Sequence, residues 1–331
     1  MKNRFIFTCG DINGIGPEIV IKTLEVLKKK STSKYYFICP PAVFEKYYQL
    51  SKAKFDYEIS HKLNDADSVV TVIPLKDLKM NPGNPTKNSG KTSFEAIKMA
   101  VKLVNEGKAD AIVTAPISKT AINMAGINFP GHTEMLAEWT STDEFVMTFL
   151  SRKMKCSLVT IHNSLKKVPE LINKKNLHST FNVVLNSLRN DLNIDKPKVA
   201  VLGLNPHAGE SGIIGTEEEK IIKPSILSFK NNQFLSGPFS PDAFFANRMY
   251  QKFDMVIGMY HDQVLIPFKM LNFGGGVNYT AGLPIIRTSP DHGVAYDIAG
   301  RILADPSSFI EAVRYAAIII KYRRRNAKNN G

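Results

Sequence analysis

The chain has 331 residues, 44% of them apolar, and its 43 Lys and Arg against 30 Asp and Glu give a net charge of +13. This apolar share excludes wholesale disorder, and the length predicts one large or two modest domains. Three cysteines without a CxxC pair favour a reduced protein over a disulfide-stabilised secreted one. The N-terminal apolar stretch is too short for a signal peptide, and no run approaches the ~20 apolar residues of a membrane helix. We therefore expect a cytoplasmic protein without a membrane partner.

Short apolar runs rich in β-branched and aromatic residues alternate with amphipathic stretches along the chain. The runs predict strands at 4–8, 35–39, 111–114, 156–161, 198–202 and 255–259. In the stretch 93–107 the apolar residues recur at helical spacing, and Gly107 lies where a helix would end. This alternation of strand and helix predicts a mostly parallel, doubly wound α/β sheet.

Two further helices are predicted in the second half of the chain. Thr216 and Glu219 have the spacing of a capping box, which predicts a helix start, and Pro224 would kink or shorten that helix. The last helix is predicted near 307–322. The basic clusters 28–30 and 321–325 close predicted helices, where cations are stabilised by the helix dipole. We therefore expect solvated helix ends there and no nucleic-acid partner.

Three histidines occupy equivalent places, at or just after predicted strands. They are His162, His207 and His261, and they are separated by 45 and 54 residues. Each separation is about one strand–helix–strand unit, so neighbouring strands can bring the imidazoles to one sheet edge, where α/β proteins bind ligands. Three neutral imidazoles suit Zn²⁺ or a related divalent ion. Ordinary buried or loop histidines remain the alternative.

Other polar groups near strand ends suit anions. The glycine-rich residues 8–18 lead into a helix at Pro17, which suits either a phosphate-binding turn or a tight strand-to-helix turn. Lys269 and Arg287 flank the glycine run 274–276 and Asn278, and either cation can bind a carboxylate or phosphate or lie at the surface.

A third polar set follows a Pro-Gly turn and completes the candidates. His132 and Thr133 can both donate to an anion, although they also suit an ordinary turn and helix start. Asp242 and Asp262 are candidates for acid–base work or for orienting a metal-bound histidine, but surface aspartates are common.

Seven segments, in order along nearly the whole chain, resemble the 4-hydroxythreonine-4-phosphate dehydrogenase family of vitamin B6 synthesis. They are GDINGIGPE (10–18), TAPISK (114–119), GHTE (131–134), GLNPHAGE (203–210), MYHDQ (259–263), GVNYTAGLPIIRTSPDHG (276–293) and DIAGR (297–301). The resemblance implies a homodimer with shared active sites and a fold similar to isocitrate and isopropylmalate dehydrogenases. By that analogy two α/β/α domains surround a central cleft, the first with residues 1–130 and 300–331. The second, 131–299, would contain the metal site and the dimer interface.

The resemblance also implies roles for individual residues. The metal ligands, contributed across the subunit interface, would be His162, His207 and His261. The substrate-binding residues would be His132, Thr133, Lys269, Asn278 and Arg287. The segment 292–301 is similar to the nucleotide loop of isopropylmalate dehydrogenases, which predicts cofactor contacts at His292, Gly293 and Asp297. An acidic Asp297 would favour NAD over NADP through the ribose hydroxyls.

The implied reaction is NAD(P)-dependent oxidation of the 3-hydroxyl of 4-phosphooxy-L-threonine, followed by decarboxylation to 3-amino-2-oxopropyl phosphate. One divalent ion per site, Zn²⁺, Mg²⁺ or Co²⁺, would assist, and the candidates for proton transfer are Lys269, Asp242 and Asp262. Two alternatives stay open. The substrate could be another 4-phosphorylated four-carbon hydroxy acid of the erythronate or threonate type, or the chain could be a non-enzymatic protein that binds polyanions or metal.

Overall fold

The structure is a computed structural model that describes residues 2–28, 33–63, 69–128 and 132–329. The chain divides into two compact units, Met1–Ser141 with Leu283–Ile320 and Thr142–Gly282 with Lys321–Gly331. The sequence predicts domain boundaries at 130/131 and 299/300. In the structure, the chain passes from one unit to the other at 141/142, 282/283 and 320/321. The assignment of a metal site and a dimer interface to one independent domain stays a prediction.

The first unit contains a parallel sheet. Its strands are β1 (Arg4–Thr8), β2 (Lys34–Cys39), β3 (Tyr57–Ile59), β4 (Val70–Pro74), β5 (Ala111–Thr114) and β12 (Arg287–Pro290). They lie in the order β3-β4-β2-β1-β5-β12, and the pairs are parallel. The central strand β1 is nearly all buried, because Phe5, Ile6 and Phe7 are covered on both faces.

Helices cover this sheet. They are α1 (Gly16–Leu27), α2 (Pro41–Leu50), α3 (Lys87–Asn105), α4 (Lys119–Met124), α5 (His132–Trp139) and α11 (Ser307–Asn329), whose residues from Lys321 onward belong to the second unit. Helix α3 begins six residues before the predicted 93, because the hydroxyl of Thr86 accepts a hydrogen bond from the amide of Ser89 and caps a polar first turn. Apolar periodicity does not detect such a turn.

The second unit has a mixed sheet. Its strands are β6 (Val146–Leu150), β7 (Cys156–Leu158), β8 (Val199–Leu202), β9 (Leu235–Phe239), β10 (Met255–Gly258) and β11 (Val277–Ala281). They lie in the order β11-β6-β7-β10-β8-β9, in which β6 is antiparallel to both of its neighbours and the pairs β7-β10, β10-β8 and β8-β9 are parallel. The helices are α6 (Val168–Leu171), α7 (Lys174–Asn190), α8 (Lys223–Leu227), α9 (Pro241–Ala246) and α10 (His261–Leu271). The prediction of a mostly parallel α/β fold is confirmed, and the six predicted strands are among the twelve described ones, with small differences at the strand ends.

The segment around Thr216 differs from its prediction. A π-helical turn, Glu218–Ile222, leads into α8, and no side chain caps the start of either. The predicted capping box is therefore wrong, since Glu219 is exposed and pairs with Lys223 instead. Pro224 lies in the first turn of α8, where the chain passes from the π-helical turn into the α-helix, and as a proline it offers no N–H to the carbonyls of the preceding turn. None of the described helices combines the length and the apolarity that crossing a bilayer requires.

Candidate active site

Hydrogen bonds connect the three strand ends that carry the candidate histidines. The strand β10 lies between β7 and β8, parallel to both. The hydroxyl of Thr160 donates to the carbonyl of Met259 over 2.7 Å. The buried amide of Gln263 donates to the carbonyl of Gly203 and accepts from the N–H of Met259, each over 2.7 Å. The segments leading to His162, His207 and His261 are therefore joined at one sheet edge, as parallel strands allow.

His162 and His261 lie side by side. Their ring centroids are 6.0 Å apart with the ring planes inclined by 40°. Both line a cavity of about 240 Å³, whose other lining residues are Ile161, Asn163, Leu165, Tyr260 and Asp262. His261 begins α10, and its Nδ1 lies 2.7 Å from Oδ1 of Asp262. Donation from Nδ1 to this carboxylate selects the tautomer whose Nε2 carries the lone pair that a metal needs.

His207 lies in a strained turn. The residues 207–211 all have positive φ, between 43° and 79°, although only Gly209 among them is a glycine. Left-handed backbone costs other residues roughly 1–2 kcal/mol each, so the surrounding structure must hold this turn. Asp242 is near, and its pKa is lowered first by the hydroxyl of Ser240, which donates over 2.5 Å, then by the N–H of Ala243, and to a smaller degree by His207.

The imidazoles of His162, His207 and His261 are suitable ligands for a divalent cation, and two of the three lie close enough together to share one. The 6.0 Å between the ring centroids of His162 and His261 is a distance that two imidazoles can have when one nitrogen of each lies about 2 Å from a shared cation. His207 is not among the residues that line their cavity. Within the described ranges, no three His, Cys, Asp or Glu side chains converge as ligands. One chain therefore brings together two of the three predicted metal ligands.

The predicted anion-binding residues are distributed over both units. Lys269 is exposed in the last turn of α10, and Asn278 lies on β11. The buried Oδ1 of Asn278 has no hydrogen-bond partner among the residues that the structure describes. In the first unit, Thr133 is buried in α5. His132 begins that helix, but its side chain is outside the described part of the structure.

Arg287 is the most deeply buried of the predicted cations. Only 2% of its surface is exposed, and its Nε and Nη2 donate to Oγ1 of Thr114 over 3.0 and 2.7 Å. The hydroxyl holds the guanidinium plane in one orientation, which suits bidentate binding of a carboxylate or phosphate. The sequence analysis did not assign a role to Thr114. Its place at the end of a buried strand was the signal that could have found it.

The first glycine-rich loop is not a free phosphate cradle. Its amides donate within the unit: Asp11 to the carbonyl of Pro116, Asn13 to Oδ1 of Asp11, Gly14 to the carbonyl of Asp11, and Ile15 to the carbonyl of Val294. The phosphate-binding interpretation is therefore wrong for these amides, and the tight-turn alternative holds.

The carboxylate of Asp11 joins this loop to the predicted cofactor segment. It accepts hydrogen bonds from the hydroxyls of Tyr296 at 2.8 Å and Ser89 at 3.1 Å. Burial raises the pKa of Asp11, and the hydrogen bonds from Asn13, Tyr296 and Ser89 oppose that shift. The sequence analysis missed this network, because its members lie more than 70 residues apart.

The predicted cofactor residues all lie in the first unit. His292 is half-buried, with Nδ1 3.0 Å from the carbonyl of Gly293. Gly293 is exposed, and Asp297 is exposed in the 3₁₀-helical turn Tyr296–Ile298. The hydrogen bond from Tyr296 to Asp11 anchors this turn. The carboxylate of Asp297 is exposed and accessible to a ligand.

The fold and the site together define an α/β enzyme with its polar side chains at the carboxyl ends of parallel strands. A family model described as pyridoxal phosphate biosynthetic protein PdxA matches residues 30–316. The chain belongs to this PdxA family, whose named members are dehydrogenases, and the predicted resemblance is confirmed.

Individual relatives align with this chain over nearly their full length. The 4-hydroxythreonine-4-phosphate dehydrogenase of Sulfurihydrogenibium sp. (strain YO3AOP1) is 42% identical over 97% of this chain and 99% of its own. A putative D-threonate 4-phosphate dehydrogenase of Oceanobacillus iheyensis is 40% identical over 93% of this chain and 95% of its own. The crystal structure of 4-hydroxythreonine-4-phosphate dehydrogenase from Klebsiella pneumoniae superposes with a TM-score of 0.84, at 35% identity, over 96% of this chain and 100% of that one.

The predicted dehydrogenase fold is confirmed by a more distant structure. Isocitrate dehydrogenase from Methylococcus capsulatus is similar with a TM-score of 0.51 over 98% of this chain and 89% of that one. At 14% identity this likeness concerns the fold alone.

Proposed function

We propose that this chain catalyses the NAD(P)-dependent oxidation of the 3-hydroxyl of 4-phosphooxy-L-threonine, followed by decarboxylation to 3-amino-2-oxopropyl phosphate, in pyridoxal phosphate synthesis. The observation that carries the chemistry is the pair of imidazoles, His162 and His261, beside Asp262 at one strand edge. The names of the relatives supply the substrate class. The nicotinamide supplies a hydride acceptor, and His292, Gly293 and Asp297 are the residues proposed to contact the cofactor.

His162, His207 and His261 would hold one divalent ion, Zn²⁺, Mg²⁺ or Co²⁺. The chemistry that such an ion supplies when bound is a lower pKa of the substrate alcohol and electron withdrawal from the ketone that oxidation forms. Neutral imidazoles leave the charge of the ion undiminished for this purpose. Asp262 orients His261 through their 2.7 Å contact, and Asp242, whose pKa His207 lowers to a small degree, is proposed to do the same for His207.

Lys269 is the proposed carrier of the proton that leaves the alcohol. It lies on the helix that begins with His261, and in the described part of the chain its ammonium makes no ion pair that would occupy it. The aspartates are less suited, because Asp262 is engaged by His261 and Asp242 by Ser240. Oxidation removes one proton from the alcohol, and the enolate left by loss of CO₂ takes one up, so a lysine can accept the first proton and return it in the second step.

The substrate carries an anion at each end, a carboxylate and a phosphate. The proposed binding residues supply complementary donors: His132, Thr133, Lys269, Asn278 and Arg287. Among these, the buried Arg287 oriented by Thr114 has the environment of an anion-binding group. The unsatisfied Oδ1 of Asn278 is an acceptor, which suits a hydroxyl or ammonium donor of the substrate rather than its anions. Binding energy from the non-reacting phosphate would fix the 3-hydroxyl in place.

A homodimer is proposed to complete the site. Ile266, Met270 and Phe273 follow one another at helical spacing on and just after α10, and they are 58, 80 and 100% exposed. Exposed apolar side chains also follow the other two histidines, at Leu165 and Ile213. Such an apolar face is typical of a protein interface. A second copy of the chain would cover these apolar side chains where they lie close to the histidines in sequence. His207 would then meet the His162 and His261 of the other subunit.

The function is tested by a comparison of substrates. Purified protein with NAD and Mg²⁺, Zn²⁺ or Co²⁺ is given 4-phosphooxy-L-threonine, D-threonate 4-phosphate or D-erythronate 4-phosphate, and NADH and CO₂ are measured together. We expect equimolar products and a preference for the amino acid of at least about tenfold in kcat/KM, about 1.4 kcal/mol in transition-state binding.

The second candidate is favoured by the similarity to the putative D-threonate 4-phosphate dehydrogenase. The two substrates differ in an amine against a hydroxyl, so few contacts distinguish them. Faster turnover of threonate 4-phosphate would select this candidate. Absence of NADH with all three compounds would favour a binding protein without catalysis.

Replacement of Asp297 by serine tests the cofactor assignment. A carboxylate near the adenosine ribose repels the 2′-phosphate of NADP, so D297S should raise the ratio of NADP to NAD in kcat/KM by about tenfold. The matched control is Asp143→Ser, which removes an exposed carboxylate from the other unit. A ratio that is the same in D297S and in the native protein would remove Asp297 from the cofactor site.

A further inference from the structure

A buried carboxylate lies beneath the loop that carries His207. Glu218 is 1% exposed, and its Oε1 accepts hydrogen bonds from the amides of Leu204 and Asn205, each over 2.7 Å. Its Oε2 accepts from Nδ2 of Asn205 over 2.9 Å. A single side chain thus binds the backbone and the side chain of the residues that lead into His207.

The same carboxylate shapes the left-handed turn itself. A Cβ added to Gly209 would lie 2.6 Å from Oε2 of Glu218, and one added to Gly203 would lie 3.0 Å from its Oε1. Glu218 therefore packs against Gly203, before His207, and against Gly209, the middle residue of the turn 207–211, and occupies the space that a side chain at either glycine would need. It begins the π-helical turn Glu218–Ile222, and such turns occur frequently at functional sites.

From these contacts we infer that Glu218 is a positioning residue for His207. Because the residues 207–211 occupy a conformation that they do not prefer, something outside the turn must select it. The hydrogen bonds of Glu218 to Leu204 and Asn205 define where the turn begins, and the contact with Gly209 defines its middle. The inference rests on the proposed function of His207 as a metal ligand.

Neighbouring acidic residues do not share this role. Glu219 is exposed and pairs with Lys223, and Glu217 accepts only from Nδ2 of Asn205 among the described hydrogen bonds. This difference provides a matched control within three consecutive glutamates. The variants for the test are therefore Glu218→Ala, Glu218→Gln and the control Glu219→Gln.

The first measurement is Co²⁺ binding to the full-length protein by calorimetry and by visible absorption, without substrate or NAD. Residues that orient a metal ligand typically affect affinity 10–100-fold, so E218A should weaken Co²⁺ binding by about 10–100-fold. E218Q keeps an oxygen that accepts from Leu204 and Asn205, so its affinity should return to within roughly fivefold of the native value. E219Q should bind as the native protein does.

The second measurement follows the environment of the His207 ring in the absence of metal. In the metal-free protein, the ring resonances of the histidines are recorded by NMR and assigned with single His→Ala variants. E218A should shift or broaden the resonance of His207, while those of His162 and His261 remain in place. A general loss of structure would move all three.

The two measurements separate the inference from the function on which it rests. Native Co²⁺ affinity together with an unmoved His207 resonance in E218A would overturn the inference. If the native protein binds no Co²⁺, the proposed function fails, and the His207 resonance still decides whether Glu218 places this ring. If E218A does not fold, Glu218→Asp takes its place, because a carboxylate one methylene shorter cannot reach the amides of Leu204 and Asn205 and Nδ2 of Asn205 together, and it should weaken Co²⁺ binding at least about tenfold.

Discussion

Replacement of His207 by alanine is expected to remove the bound metal and to lower turnover by about a thousandfold or more, because metal ions supply several kcal/mol of charge stabilisation. The fold should survive, since the imidazole of His207 is exposed and buries little surface. Metal content after dialysis, turnover and far-UV circular dichroism check the three parts of this expectation. His61→Ala is the control, because His61 is an exposed histidine of the first unit.

A mixture of two inactive variants tests whether the site is shared. If His207 and His261 of one site come from different subunits, a heterodimer of H207A and H261A has one intact site. Random reassociation of equal amounts would then restore about a quarter of the native activity, because half of the dimers are mixed and each has one working site. Mixtures without recovery would place both histidines in the same subunit. In the separate measurement of metal content, full metal retention by H207A alone would contradict the proposed ligand set.

A large effect on stability is expected at Arg323, which lies within α11, 26% exposed, in an ionic cluster with a buried carboxylate of the second unit. The prediction of a solvated helix end at 321–325 is therefore wrong for this residue. Its Nε donates to Oδ1 of Asp191 over 2.7 Å, and its Nη2 donates to the hydroxyl of Tyr279 over 3.1 Å. The hydroxyl of Tyr279 in turn donates to Oδ2 of Asp191 over 2.6 Å. Burial raises the pKa of Tyr279, and the carboxylate of Asp191 adds to this, so the hydroxyl stays protonated as a donor.

Arg323→Ala should therefore lower the free energy of unfolding by about 3 kcal/mol, because it leaves the buried carboxylate of Asp191 without its cation. Urea unfolding followed by circular dichroism measures the change. The control is Arg325→Ala, since Arg325 is exposed and covers the ring of Tyr322, 5.4 Å from its centroid. That control should cost less than about 1 kcal/mol. Equal losses in the two variants would mean that the cluster contributes no more than a surface cation does.

Much of the fold was predictable because strand positions are a local property. The run from Phe5 to Phe7 is apolar and flat enough for burial on both faces, and it forms the central strand of its sheet. The three histidine positions were predictable for the same reason, since each follows such a run. The polar first turn of α3 was not predictable from apolar spacing, because a hydroxyl cap at Thr86 begins it.

The sequence by itself determined where six of the twelve described strands form, which family the chain resembles and which residues carry candidate chemistry, because apolar periodicity and short motifs are encoded within a few neighbouring positions. Only the tertiary structure decided that Thr114 orients Arg287, that Tyr296 binds Asp11, and that Glu218 rather than Glu219 faces inward. The first two pairs lie 173 and 285 residues apart, and packing alone brings their atoms within hydrogen-bond distance. For the adjacent glutamates, the direction of the π-helical turn selects the buried one, and no local pattern encodes that choice.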